Sequence, residues 1–369
     1  MATQGNSESP HERRPHNVAP VLSSVHVLFT VKDFGRDVGI CNIGLGVTAV
    51  NCIKVLRAAS IFAEMVSTPD ANQIQKELEG RERLSRYAPV SHVIVSSPSW
   101  VQPEDFKRLC LRWPETEFIL LEHSGCTYLS IDKFGIRNIR EIAKLELILH
   151  NMKVGANNPR VARWISELTG RDCLLLRNLY DPTTFVTPWT PQKLTGTLRV
   201  GSFGAARPWK NQLTAGEAAV MLARKLGVKL EFYVNSKRPE GNWRMIESRQ
   251  EIFNNLPGCK LIEVPWEPWP RFRNTVSHMH IMLSPSFDET FCVVVADGIA
   301  EGVPSVVGGS IEWAPDFWKA EAYDPEDMAR VATTLLHDPR DAVEAGRRNL
   351  RAFVKAGTQE WIDFLTKAV

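Results

Sequence analysis

The sequence predicts an α/β protein of two doubly wound, Rossmann-like parallel-sheet domains. Three observations carry that expectation. Short apolar runs alternate with amphipathic stretches along most of the chain, which is the pattern of βαβ units. A proline- and threonine-rich stretch, DPTTFVTPWTPQKLTG over 181–196, interrupts this rhythm, and the rhythm then restarts. The 369 residues, 44% of them hydrophobic, are enough for two cores at about 100 to 200 residues per domain.

The elements follow in order. Residues 1–20 read as a disordered polar arm, because MATQGNSESPHERRPHNVAP has no apolar core. Residues 21–190 read as the first domain. VHVLFTV (25–31) opens it as a strand, and a glycine-containing turn (33–46) leads into a helix from Val47 to about Ala59. Further strands are expected at 91–97, 116–123, 145–151 and 173–178, with helices at 103–113 and 158–170. The second domain, 191–369, begins with a strand at 198–203, a helix at 213–227 and a strand at 228–235. Strands at 260–266, 280–286 and 303–308, a helix at 290–302 and a helical tail from Pro325 complete it.

Composition excludes several classes. No run of about 18 apolar residues marks a membrane helix, and the chain reads as a cytoplasmic protein. Lys and Arg number 44 against 42 Asp and Glu, too even a balance for a protein held mainly by backbone phosphates. The seven cysteines are scattered, odd in number and without a CxxC pair, as expected of reduced thiols. His278 and His280 lack ligand-spaced partners and read as strand residues, so no structural metal is expected.

The most informative stretch is SPSFDETFCVVVADGIAEGVPSVVGGSIEW (284–313). Glu289 stands at a strand-to-helix turn and Asp297 eight positions later, so on a helix both carboxylates point to one side. Open α/β sheets bind ligands at such turns, where paired acids suit a polyol. In VGSFGAARPWKNQLT (200–214) a strand, a glycine turn at Gly204 and a helix start are followed closely by charge. Backbone amides with Arg207 and Lys210 suit a phosphate. Gly44 and Gly46, ahead of the first helix, allow a close backbone approach, and the GxGxxG dinucleotide fingerprint is absent. His123 ends a strand of the first domain and would face the cleft.

Over roughly 198–340 the chain resembles the family-4-type retaining glycosyltransferases of the GT-B fold (glycosyl transferases group 1), and over 25–190 it resembles them by architecture. Their Glu-x7-Glu motif, small-residue helix and Gly-x-Pro turn correspond to Glu289, Asp297 and Gly302-Val303-Pro304. The aspartate is one methylene shorter than the family's second glutamate. The resemblance implies that Glu289 contacts the donor sugar, Asp297 the nucleoside ribose, and Arg207 and Lys210 the leaving diphosphate. Lys210-Asn211 fits the family pattern, while Arg207 lies closer to the lysine than the usual five-residue separation. It further implies that His123 lies near the donor sugar and that Asn178 sits at the cleft base. Gly204, Asn211, Thr290, Phe291, Gly308, Gly309, Ser310, Gly44 and Gly46 would complete the donor site. No cofactor or metal is implied beyond the nucleotide-sugar donor, and no DxD motif is present.

The sequence leaves the acceptor open between a glycan, a small molecule and a modified DNA base, the last as in viral DNA-modifying glycosyltransferases. Residues 21–190 hold 20 Lys and Arg against 18 Asp and Glu, so no broad DNA-binding face shows in composition. A sugar-nucleotide-binding protein without turnover is the other alternative, and the presence of both Glu289 and Lys210 argues against it. Trp266 and Trp269 suit either a sugar platform or the domain seam, and Trp313 either the acceptor side or the core.

Overall fold

A computed structural model describes residues 25–32, 44–68, 70–84, 89–96, 100–181, 192–235 and 244–367. The polar arm, most of the first glycine turn and positions 182–191 of the interdomain stretch lie outside them. In the first domain the described elements are β1 (His26–Lys32), α1 (Gly44–Ala58), β2 (Phe62–Thr68), α2 (Ala71–Arg83), β3 (His92–Ser96), α3 (Pro103–Arg112) and β4 (Glu117–Glu122). They continue with the single turn α4 (Cys126–Leu129), α5 (Gly135–Leu145), β5 (Met152–Ala156), α6 (Pro159–Thr169) and β6 (Leu174–Leu175). All six strands are parallel, in the order β2-β1-β3-β4-β5-β6. The central β3 is buried along its whole length, as expected of a strand covered by helices on both faces.

Local chemistry sets the helix ends. The Asp70 side chain accepts from Gln73 N to cap α2. Asn158 caps α6 through Arg160 N and Val161 N, Pro159 fills the first helical position, and Gly170 closes the helix at φ 66°.

The strand expected at 145–151 is not formed. Its residues finish α5 and the following turn, with Ile148 N and Leu149 N both bonded to Leu145 O. Leu147 and Ile148 are 67% exposed, and the strand runs instead over Met152–Ala156. A short apolar run has no period that separates a helix end from a strand, while Lys153 and Gly155 dilute the apolar signal of the true strand. The strand expected at 173–178 contracts to two residues at the sheet edge. β2, α2, α5, α8 and α9 were not among the expected elements; β2 shows why, since as an edge strand it is half exposed and carries Glu64 and Ser67 within FAEMVST.

The second domain comprises β7 (Thr197–Ser202), a 3-10 turn (Pro208–Lys210), α7 (Gln212–Leu226), β8 (Lys229–Asn235), α8 (Arg244–Phe253), β9 (Cys259–Val264) and α9 (Trp269–Ser277). It ends with β10 (Ile281–Ser284), α10 (Val293–Ala300), β11 (Ser305–Val307), α11 (Pro325–His337) and α12 (Pro339–Lys367). Its five strands are parallel in the order β11-β10-β7-β8-β9. The small residues of α10 bring it close to the sheet: a Cβ on Gly298 would stand 2.3 Å from Met282 Cε.

The 29-residue α12 belongs to both domains. Leu350 joins the second core. Trp361 and Leu365 join the first, beside Phe29 and Leu56. Trp361 is fully buried and donates from Nε1 to Arg177 O at 2.9 Å. Gly357 permits the crossing, because its would-be Cβ lies 3.0 Å from both Arg177 and Leu179. Among the described residues no helix is long and apolar enough to cross a membrane.

Candidate active site

In each sheet the chain reverses its direction of growth once. It builds β1 and β2 outward before crossing to β3 on the other side, and β7, β8 and β9 outward before crossing to β10. The loops leaving the two strands at such a point diverge and open a crevice. In the second domain those loops follow β7 and β10, and they carry Lys210 and Glu289. A cavity of 510 Å³ lies there, closed on the far side by the loops after β4 and β5 of the first domain.

Lys210 Nζ donates to Glu289 Oε1, with both side chains largely buried. Burial works against the ammonium, but the adjacent Glu289 carboxylate outweighs it and holds Lys210 above the ordinary lysine range. Gly204 takes φ 115° in the loop ahead of the lysine, a conformation that favours glycine. Its amide donates to Asn235 Oδ1 at 3.1 Å. The Arg207 guanidinium lies 5.0 Å from the Tyr128 ring and 5.7 Å from that of Trp209, so aromatic faces from both domains orient it. After Glu289 the backbone passes through Cys292 at φ 65° before α10 begins, a left-handed turn that costs a non-glycine residue about 1 kcal/mol.

Asp297, one to two turns into α10, is buried and reaches the cavity edge. Its Oδ1 accepts from Tyr180 Oη at 2.6 Å and Trp269 Nε1 at 3.0 Å. Behind it Arg273 and Glu301 form a buried pair at 2.6 Å. Burial pushes the Asp297 carboxyl up to about 7, against the pull of these donors. Because the folded value lies above the unfolded one, this group's contribution to stability is full below pH 4 and is lost as pH rises through 7. Asp297→Asn keeps the acceptor without the charge. The variant is therefore expected to gain stability over the wild type between pH 5 and pH 8, by a few kcal/mol at about 1.4 kcal/mol per pH unit. Urea denaturation of both proteins at the two pH values measures it, and an unchanged difference would contradict it.

On the first domain's side, burial holds the His123 imidazole down, to about 4, so the ring is neutral at pH 7. Asn157 Nδ2 donates to its Nδ1 at 3.1 Å, which leaves the ring proton on Nε2. Asn178, close enough to offset the shift in part, does not reach hydrogen-bond geometry with the ring. Thr290 ties the loops together: its hydroxyl donates to His123 O at 2.9 Å and accepts from Asn157 Nδ2 at 3.2 Å, while Asn158 Nδ2 donates to Thr290 O at 3.1 Å.

No protein-family model and no curated protein matches the sequence. Solved structures do. A glycosyltransferase from Rickettsia africae ESF-5 superposes with a TM-score of 0.62 at 13% identity, covering 93% of this chain and 98% of that one. An α,α-trehalose-phosphate synthase (UDP-forming) from Burkholderia vietnamiensis gives 0.64 at 9% identity over 93% and 97%. The Anabaena protein HepE, in complex with UDP and glucose, gives 0.59 at 13% identity over 93% and 100%. The chain has the GT-B fold.

In this GT-B cleft, Glu289, Lys210, Arg207, His123, Asp297, Gly204, Thr290, Phe291 and Gly44 all line one cavity. Other predicted donor-site residues do not. Asn211 is buried at the start of α7, with its carboxamide donating to Ala322 O and accepting from Thr214 Oγ1. Gly46 is in the first turn of α1 rather than ahead of it, and GLG (44–46) opens the helix. Gly308 and Ser310 pack against the segment after β10, where Ser310 Oγ donates to Ser286 O at 2.9 Å, and Gly309 is exposed with nothing near its Cβ position. Trp313 is a core residue donating to Phe291 O. Trp266 and Trp269 do line the cavity, and Trp269 also stands at the domain seam, with Lys54 of α1 5.5 Å from its ring.

Gly308 has a structural use. A Cβ there would lie 2.5 Å from Ser286 O, a backbone atom that cannot rotate away. Gly308→Ala is expected to lower stability by about 1–3 kcal/mol, as read from the urea midpoint. A midpoint equal to the wild type's would show that the loop gives way freely.

Sequence reasoning missed Asn157, Asp288, Arg160 and Tyr180. Asp288 adjoins the motif, yet nothing in one sequence ties it to residues more than a hundred positions away. Asn157-Asn158-Pro159 did carry a signal, as a helix-cap sequence directly after a strand.

Proposed function

We propose that the chain transfers a sugar, hexose or pentose, from a nucleotide-diphosphate sugar to an acceptor hydroxyl with retention at the anomeric carbon. The observation that carries this reading is the Lys210–Glu289 pair at the switch point of the second sheet, facing neutral His123 across one cavity between the domains. Cleavage of the sugar–phosphate bond builds negative charge on the diphosphate. Lys210 and Arg207 offset that charge in a site largely shielded from water, where such stabilisation is strongest. This requires no divalent ion. Glu289 accepts from the donor sugar's hydroxyls and keeps the lysine charged, and Asp297 holds the ribose.

The acceptor enters from the first domain. Retention fits a reaction on one face of the sugar, in which the departing phosphate takes the acceptor's proton. That a UDP complex exists for a GT-B neighbour supports a nucleotide donor, and the absence of a membrane-spanning helix among the described residues accords with a cytoplasmic setting. A thermal-shift and donor-hydrolysis screen over nucleoside diphosphates and nucleotide sugars tests the reading. Stabilisation by at least one diphosphate, with sugar release from its sugar conjugate, is expected; a protein that no nucleotide stabilises would refute it.

A further inference from the structure

Three consecutive residues of the β10–α10 loop are bonded to the first domain. Asp288 accepts from Thr127 N at 2.8 Å through Oδ2 and from Arg160 at 3.1 Å through Oδ1. The same Arg160 nitrogen donates to Glu289 O at 2.9 Å. Thr290 holds His123 O and both asparagines after β5. The Glu289 side chain, in contrast, is committed to Lys210 of its own domain. Glu289 is therefore gripped from two sides, its backbone by one domain and its carboxylate by the other.

We propose that Arg160 and Asp288 form an interdomain latch that places the Glu289 carboxylate only when the cleft is shut, making them positioning residues for transfer. The inference rests on the glycosyltransferase reading of the site. Several features fit a latch rather than a fixed strut. Asp288 is nearly buried, while Arg160 is 43% exposed, so the arginine can be released to water when the domains part. Its position at the start of α6, next to the Asn158 cap, lets closure of the first domain deliver a cation to a fixed place. Gly125 makes the seat: a Cβ there would fall 2.2 Å from Asp288 Oδ2, so any side chain larger than hydrogen would push the Asp288 carboxylate off its place beside Thr127 N. Opening removes four donors, those of Thr127, Arg160, Asn157 and Asn158, from the 288–290 loop at once and frees the backbone that carries Glu289.

The test uses the full chain and two readouts. Small-angle scattering in low salt, with and without UDP or GDP, reports closure whether or not any sugar is transferred. Arg160→Ala is expected to raise the radius of gyration of the nucleotide-bound form above the wild-type value, with the urea midpoint unchanged, and Arg160→Lys to restore part of the closure. With a donor identified, Arg160→Ala and Asp288→Asn should each lower kcat by roughly 10- to 100-fold, leave the donor KM within about threefold, and increase donor hydrolysis relative to transfer as the cleft leaks water. The double variant should be no slower than the worse single one. Closure and kcat unchanged in Arg160→Ala would overturn the latch. If closure changes and no nucleotide sugar is turned over, the latch stands and the transferase reading falls.

Discussion

Lys210→Ala is expected to weaken nucleoside-diphosphate binding by about 10- to 100-fold, the equivalent of one charge-assisted hydrogen bond, and to lower turnover by about 10²- to 10³-fold. Glu289→Ala is expected to behave differently. It removes the acceptor for the sugar but leaves the lysine free to meet phosphate, so turnover falls by a similar factor while diphosphate binding holds or tightens. The contrast follows from geometry: the two side chains satisfy each other in a largely buried place, and removing either leaves the other charge uncompensated. In Lys210→Ala the orphan is an anion facing an anionic ligand. In Glu289→Ala it is a cation facing the same ligand. Calorimetric titration of both variants with UDP and GDP separates the cases, and a Lys210→Ala protein that binds diphosphate as tightly as the wild type would remove the lysine from the site.

The second large effect concerns stability. Trp361→Ala should cost about 3–5 kcal/mol, the range for deleting a large buried aromatic side chain. The indole is fully enclosed, packs 5.6 Å from the Phe29 ring, and satisfies the Arg177 carbonyl. Alanine leaves a void beneath the first sheet and an unpaired carbonyl. Nearby Phe364, edge-on to His92 at 5.5 Å, cannot fill it without giving up its own contact. Because two domains share the helix, the loss should appear as an earlier transition in urea and as proteolytic cutting within α12. A single transition at the wild-type midpoint would show that the helix end adds nothing to the first domain.

How much of this was legible beforehand divides along physical lines. The two-domain α/β plan was readable because buried parallel strands are continuous apolar runs and the interruption at 181–196 is compositional. That Lys210, Glu289 and Asp297 would meet at one cavity was readable because each sits close in sequence to the turn that positions it. Leu145–Asn151 misled because an apolar helix end and an edge strand look alike over a few residues. At Gly308 another ambiguity arises: a glycine beside a site suits a ligand's approach and a backbone's equally well, and here Ser286 O takes the space. Asp288, Arg160 and Tyr180 were beyond reach, since their meaning lies in long-range contacts, while Asn157 carried only the helix-cap signal it shares with Asn158 and Pro159.

The path of α12 has a mechanical consequence. With the chain passing between the domains twice, once through the 181–196 stretch and once along α12, the two bodies are joined at two places rather than one. A single tether permits rotation about any axis; two tethers leave chiefly the axis that runs through both. In the closure proposed above, this restraint favours return of the Asn157–His123 edge to one register against Thr290. Alignment of the two half-sites is built into a helix that supplies no residue to the cavity itself.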